Sequence, residues 1–251
     1  MSSERYSFNC TNQVKNVAIV GATHGNELHG IYIVKEVNSA AKALELKSSF
    51  PSLKIRGHIG NVAAVSAIGT GAGLRYCETD LNRCFKIKDL ADSGIRTIEG
   101  LRAKEIDALL GPKASENPNA DLLLDLHSTT SNTGILLCCH VLDVFSLRLI
   151  AHLQSIHPDI SVSLWRDLEP PFLPTVARSG MTIEVGPIPH STSNTLLFHK
   201  TKKLLNEILT YTENHNKWIL NGMPLDQLKS VKLMLYKRFA SVGFPRDKNG
   251  K

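Results

Sequence analysis

Three apolar runs in this chain end in a side chain able to bind a metal or move a proton. "VKNVAIVGA" (14–22) runs into "GATHGNELHG" with His24 and Glu27, "ADLLLDLHS" (120–128) reaches His127, and "MTIEVGP" (181–187) carries Glu184. Two imidazoles and one carboxylate form the donor set of a hydrolytic zinc site, which keeps a fourth position for water. His24 and Glu27, three residues apart on a loop, can close on one ion while His127 arrives from another strand end. Taken singly, each has a plainer reading: His24 as a helix cap, Glu27 as an acid favoured by a helix N-terminus. Their joint placement at strand exits points to metal-assisted hydrolysis. Asp125, on the same strand face as His127, reads equally as its orienting partner or as a structural carboxylate.

Such groups meet only if the fold brings strand ends together. Continuous apolar strands over 14–22 and 120–128, with others at "LKIRGHIG" (53–60), "GILLCCHV" (134–141), "VSLW" and 181–187, alternate with helical patterns. Helices are expected over 26–46, over 97–111 with Gly111-Pro112 as its stop, through "FSLRLIAHLQSI", and over 191–216, with "NVAAVSAIG" a short helix or turn. Alternation of this kind predicts an α/β fold, a three-layer α/β/α arrangement around a mixed, largely parallel central sheet. The carboxyl ends of its strands line the binding crevice, so residues far apart in sequence reach one edge.

Bulk properties narrow the class. The 251 residues are 42% hydrophobic, enough for one sizeable core. No apolar stretch reaches the roughly 20 residues needed to span a bilayer, and "MSSERYSFNCTNQ" lacks an apolar signal region. Five cysteines without C-x-x-C spacing read as free thiols of a reducing compartment, so a cytoplasmic location and no membrane partner are expected. The net charge of +6 is spread along the chain. It reads as a solvated basic surface that attracts small anions, with no nucleic-acid partner.

Four ordered motifs, "GATHGNELHG", "RYCETDLNR", "DLLLDLHSTTSNTG" and "TIEVGP", resemble the aspartoacylase and aminoacylase-3 branch of the zinc carboxypeptidase-like superfamily and, more remotely, succinylglutamate desuccinylase. The resemblance runs from about residue 14 to the C-terminus. It implies the zinc-carboxypeptidase-like fold and one zinc ion per chain, held by His24, Glu27 and His127. It implies a small-molecule N-acyl amino acid as substrate, and leaves homo-oligomerisation open. Asn82 and Arg83 match the pair that holds the substrate α-carboxylate, a role suited to a guanidinium fork and an amide donor. Arg75 matches the arginine that binds the scissile carbonyl and stabilises the oxyanion, and Glu184 the general base. The implied reaction is hydrolysis of an N-acyl-L-amino acid, of aspartoacylase type on N-acetyl-L-aspartate. The alternatives are an aminoacylase-3-like deacylase for neutral or aromatic substrates and a non-catalytic zinc-binding module.

Two departures qualify this. Aspartoacylases carry an arginine ten residues before the catalytic glutamate, where this chain has Pro174; Arg178 and Arg166 stand nearby in another register. The branch also has a C-terminal β-rich domain that supplies a substrate tyrosine. The expected division is a catalytic domain at 1–222 and the start of a truncated β-rich domain at 223–251. "VKLMLYKRFASVGFPRD" (231–247) opens with a strand-type alternation and is expected to pack at most as an edge strand.

Overall fold

The computed structural model describes residues 12–67, 74–140, 143–165, 169–222 and 234–237. Six strands, β1 (Asn16–Gly21), β2 (Lys54–Ile59), β3 (Leu122–Ser128), β4 (Gly134–Cys139), β5 (Ser161–Leu164) and β6 (Ser179–Gly186), form one sheet. The two-residue β7 (Tyr236–Lys237) completes the order β2-β1-β3-β6-β4-β5-β7. Every pairing is parallel except β4 against β6, so the expected mixed, largely parallel sheet is present.

Alternation along the central strands builds two cores, because successive side chains of a strand face opposite ways. Val17, Ile19, Leu122, Leu124 and Leu126 pack with α1 (Leu28–Val37), α2 (Ala40–Ser49), α6 (Val144–Ile156) and α7 (Thr195–Leu220). Ala18, Val20 and Leu123 turn the other way, towards α5 (Ile98–Leu110) and single-turn helices at Leu81–Arg83 and Leu173–Val176. Short helices α3 (Val62–Ser66) and α4 (Ile87–Ala91) join the connections. No helix among the described residues is long and apolar enough to cross a membrane.

The helix expected over 26–46 is two helices. Ser39, extended at φ −67° and ψ 145°, accepts from the Lys42 amide and caps α2. Asn38 is drawn away by a two-way bond with Gly57, donating through Nδ2 to the carbonyl (2.9 Å) and accepting from the amide (3.0 Å). A side chain that captures backbone groups of another strand ends a helix despite apolar periodicity on both sides. Helix α4 had no counterpart in the sequence reading.

Close approach explains two glycines. A Cβ on Gly21 would lie 2.2 Å from the Gly30 carbonyl oxygen, so β1 and α1 can meet only there without a side chain. A Cβ on Gly180 would lie 2.1 Å from the Pro174 carbonyl oxygen, which seats the single-turn helix directly on β6. At the other end of β6, the connection 129–133 arches across to β4. Thr129 donates to the Val185 carbonyl (3.0 Å) and accepts from the Ile188 amide (2.8 Å). Of the expected C-terminal strand, only 234–237 fall within the described residues. β7 pairs with β5 at the sheet edge, and Met234 and Tyr236 are exposed.

Candidate metal and catalytic site

The carboxyl ends of β1, β3 and β6 meet at one edge, and His24, Glu27, His127 and Glu184 meet with them. β1 leaves the sheet through Gly21 and Ala22, whose φ is +59°, and delivers His24. Glu27 stands at the start of α1, yet its side chain makes no cap bond. It reaches inward instead and accepts from the Ser128 amide at 2.9 Å. Glu27 thus does stand at a helix N-terminus, but its carboxylate, like the His24 ring, is turned into the cluster rather than onto the helix.

The three candidate ligands are buried and converge. One donor atom from each lies within 4.8 Å of the others. His24 Nδ1 is 2.7 Å from Glu27 Oε1, His127 Nδ1 is 3.0 Å from Glu27 Oε2, and the two Nδ1 atoms are 3.1 Å apart. Each imidazole has its other nitrogen on a carboxylate: His127 Nε2 on Asp125 (2.8 Å) and His24 Nε2 on Asp80 (3.0 Å). This is how metal-binding histidines are held, with one nitrogen fixed and the other presented inward. Asp125 is therefore an orienting partner, itself held by the Thr23 hydroxyl at 2.6 Å. The donor set fits a divalent metal ion.

Electrostatics follow from this packing. Burial opposes the Glu27 carboxylate, but the His127 and His24 contacts outweigh it and hold the carboxyl far below its usual range. Burial likewise opposes charge on His127, yet Asp125 and Glu27 raise it well above an ordinary histidine. Asp80, which burial alone would raise, is brought down to about 2 by His24, with help from Arg83 and Arg75.

Glu184 lies beside this cluster because β3 and β6 pair in register, His127 opposite Glu184. Burial raises its carboxyl; His127 opposes that and Glu27 reinforces it. A carboxylate with raised proton affinity next to a metal position suits proton acceptance.

Arg75 reaches the same cluster. Its guanidinium donates to Glu27 Oε1 (3.2 Å) and lies 2.9 Å from His24 Nε2. Its loop is organised by Glu99 of α5, which is fully buried. Glu99 Oε1 accepts from Cys77 N (2.6 Å) and Asn61 Nδ2 (3.0 Å), and Oε2 from Glu78 N and Thr79 N (both 3.1 Å). Asn82 and Arg83 sit on the single-turn helix capped by Asp80. Asn82 Oδ1 accepts from Leu173 N (2.9 Å), which turns its amide nitrogen outward from that bond. The Arg83 guanidinium lies over the Phe172 ring at 5.2 Å.

Sequence reading missed Asp80, Glu99 and Phe172. Asp80 had a local signal, an acid just before "LNR" that suits a helix cap. Glu99 and Phe172 had none. Pro174 lies in the single-turn helix against Gly180. Arg178, the first candidate substitute for the missing arginine, forms an ion pair with Asp121 at the opposite, amino-terminal edge of β3 and β6. Arg166 lies outside the described residues.

Known proteins match this chain along nearly its whole length. A "Probable aspartoacylase" from Nostoc sp. is 38% identical over 240 residues, covering 95% of this chain and 76% of the relative. The "N-acyl-aromatic-L-amino acid amidohydrolase (carboxylate-forming)" of Rattus norvegicus is 33% identical over 242 residues, covering 93% and 70%. Among solved structures, murine aminoacylase 3 superposes with a TM-score of 0.79 at 28% identity, over 96% of this chain and 76% of that one. The profile described as "Succinylglutamate desuccinylase/Aspartoacylase catalytic domain" matches residues 13–212, and the chain belongs to that family of deacylating hydrolases.

Proposed function

We propose that the chain is a zinc-dependent amidohydrolase that cleaves N-acyl-L-amino acids into a carboxylate and a free amino acid. The observation that carries this reading is the convergence of His24, Glu27 and His127 within 4.8 Å, with Glu184 directly across the strand register from His127. A bound zinc ion would activate water and polarise the acyl carbonyl. Glu184 takes the proton from the attacking water and returns it to the leaving amine. Arg75 faces the developing oxyanion. Asn82 and Arg83 hold the α-carboxylate, so the substrate is oriented before chemistry begins. In this reading residues 1–222 form the catalytic domain.

Within that class, a neutral or aromatic substrate side chain is favoured over aspartate. Pro174 cannot donate to a carboxylate, and Arg178 is engaged with Asp121 at the far end of the strands. The relatives' names span both choices. The test is hydrolysis of N-acetyl-L-phenylalanine, N-acetyl-L-tyrosine and N-acetyl-L-aspartate by zinc-loaded protein. Preference for aspartate would reverse the side-chain reading. Bound zinc with no turnover on any of the three would favour a metal-binding module instead.

A further inference from the structure

We propose that Lys113 is a positioning residue for the substrate-carboxylate clamp, tying the turn that bears Asn82 and Arg83 to the segment 170–173. The inference rests on the reading of Asn82 and Arg83 given above. Lys113 follows α5, where its own amide is fixed on Asp107 Oδ1 at 2.7 Å. Its ammonium donates to two carbonyls from distant parts of the chain, those of Phe85 and Pro170. Between these anchors the two segments bond directly, Phe85 N to Pro171 O at 3.1 Å and Leu173 N to Asn82 Oδ1 at 2.9 Å. The second bond fixes the orientation of the Asn82 amide. Phe172, held in the middle, presents one ring to Arg83 at 5.2 Å and stacks on His140 at 4.3 Å. One cation thus sits at the open end of a short zipper whose other end carries both proposed carboxylate donors.

The tie has a pH range. Burial lowers the Lys113 ammonium to about 8, with Asp107 and Glu169 opposing. His140, facing from the end of β4, is lowered by burial to about 4 and stays neutral as Lys113 titrates. Cys84, on the clamped turn, is raised by burial to about 11. Deprotonation of Lys113 leaves a neutral amine that holds two carbonyls less strongly, so the clamp loosens as pH rises through about 8.

The experiment compares zinc-loaded wild type, Lys113→Met and Lys113→Arg on N-acetyl-L-phenylalanine and on its carboxamide, which lacks the α-carboxylate. Lys113→Met should raise KM for the acid about tenfold, the scale seen for loss of a supporting partner. It should leave kcat and zinc content near wild type and the carboxamide KM unchanged. Lys113→Arg, charged at every working pH, should recover KM and abolish its alkaline rise. Equal loss on acid and carboxamide would overturn the proposal. Independently of turnover, amide hydrogen exchange over 82–86 and at Phe172 and Leu173 should accelerate in Lys113→Met while β1 and β3 stay protected. If wild type hydrolyses no N-acyl amino acid, the functional reading fails, and exchange alone decides the tie: unchanged protection in both segments would sink it.

Discussion

Replacing Glu99 by Gln removes one charge and turns one acceptor into a donor, at a site with no spare acceptor to lose. The carboxylate accepts four bonds, two per oxygen, three of them from the successive amides of Cys77, Glu78 and Thr79. Whichever way the glutamine amide is turned, two N–H groups then face an NH₂. Each buried donor left unsatisfied costs about 1–3 kcal/mol. The loop is partly exposed at Glu78, so water relieves some of this, and about 2 kcal/mol is the expected loss. For a domain of this size that is a fall of roughly 4–8 °C in Tm by calorimetry. The same loop carries Arg75 and Asp80, so kcat should fall more than KM rises. A pH signature accompanies it. Burial raises the Glu99 carboxyl, but its hydrogen bonds outweigh that and its pKa is lowered from 4.5. Its contribution is present above the unfolded value and is lost as pH falls through the lower folded value. Wild type should therefore lose stability on acidification below about pH 4.5 more steeply than Glu99→Gln. A variant with wild-type Tm and the same acid slope would refute the view that Glu99 builds this loop.

Three further outcomes are expected. His127→Ala should lose bound zinc, read by elemental analysis, and with it all deacylation; full occupancy would contradict the ligand assignment. Glu184→Gln should keep its metal and lose turnover about 10²- to 10⁴-fold, the range for a missing proton acceptor; wild-type kcat would move the base elsewhere. Arg178→Ala should cost about 1–2 kcal/mol in a denaturation curve, since Asp121 Oδ1 loses its ion-pair partner and Oδ2 keeps its bonds to Lys15 and Asn16, while the activity ratio between acidic and neutral substrates stays constant. A selective loss on N-acetyl-L-aspartate would give Arg178 a place in substrate recognition.

What the sequence revealed depended on whether a residue acts locally or at a distance. The strand carrying Leu122, Leu123 and Leu124 is apolar on both faces because both faces are covered, and that run ends in His127. His24, Glu27 and Glu184 were visible for the same reason: each stands where an apolar run stops. The break between α1 and α2 was hidden because apolar periodicity continues past Ser39, and only the Asn38–Gly57 bonds draw the chain out of the helix. Glu99 and Lys113 were invisible for a further reason. Both act on backbone groups 20 or more residues away, where residue identity carries no signal. Arg178 could be judged only once Asp121 was found beside it.

The antiparallel pairing of β4 with β6 also decides where this fold will accept changes of length. Because β4 runs against β6, its first residue lies beside the end of β6, Gly134 opposite Gly186. The chain leaving His127 must therefore cross β6 within residues 129–133. The crossing leaves no slack: a Cβ on Gly186 would lie 2.4 Å from the Thr129 carbonyl oxygen and 2.5 Å from that of Ser131. Surface loops elsewhere absorb inserted residues cheaply. Here one added or missing residue would push on the backbone two positions beyond Glu184, or shift β4 by a step and turn its buried face outward. In a library of single-residue insertions and deletions, this connection should be among the least forgiving, although none of its own side chains has a part in the proposed chemistry.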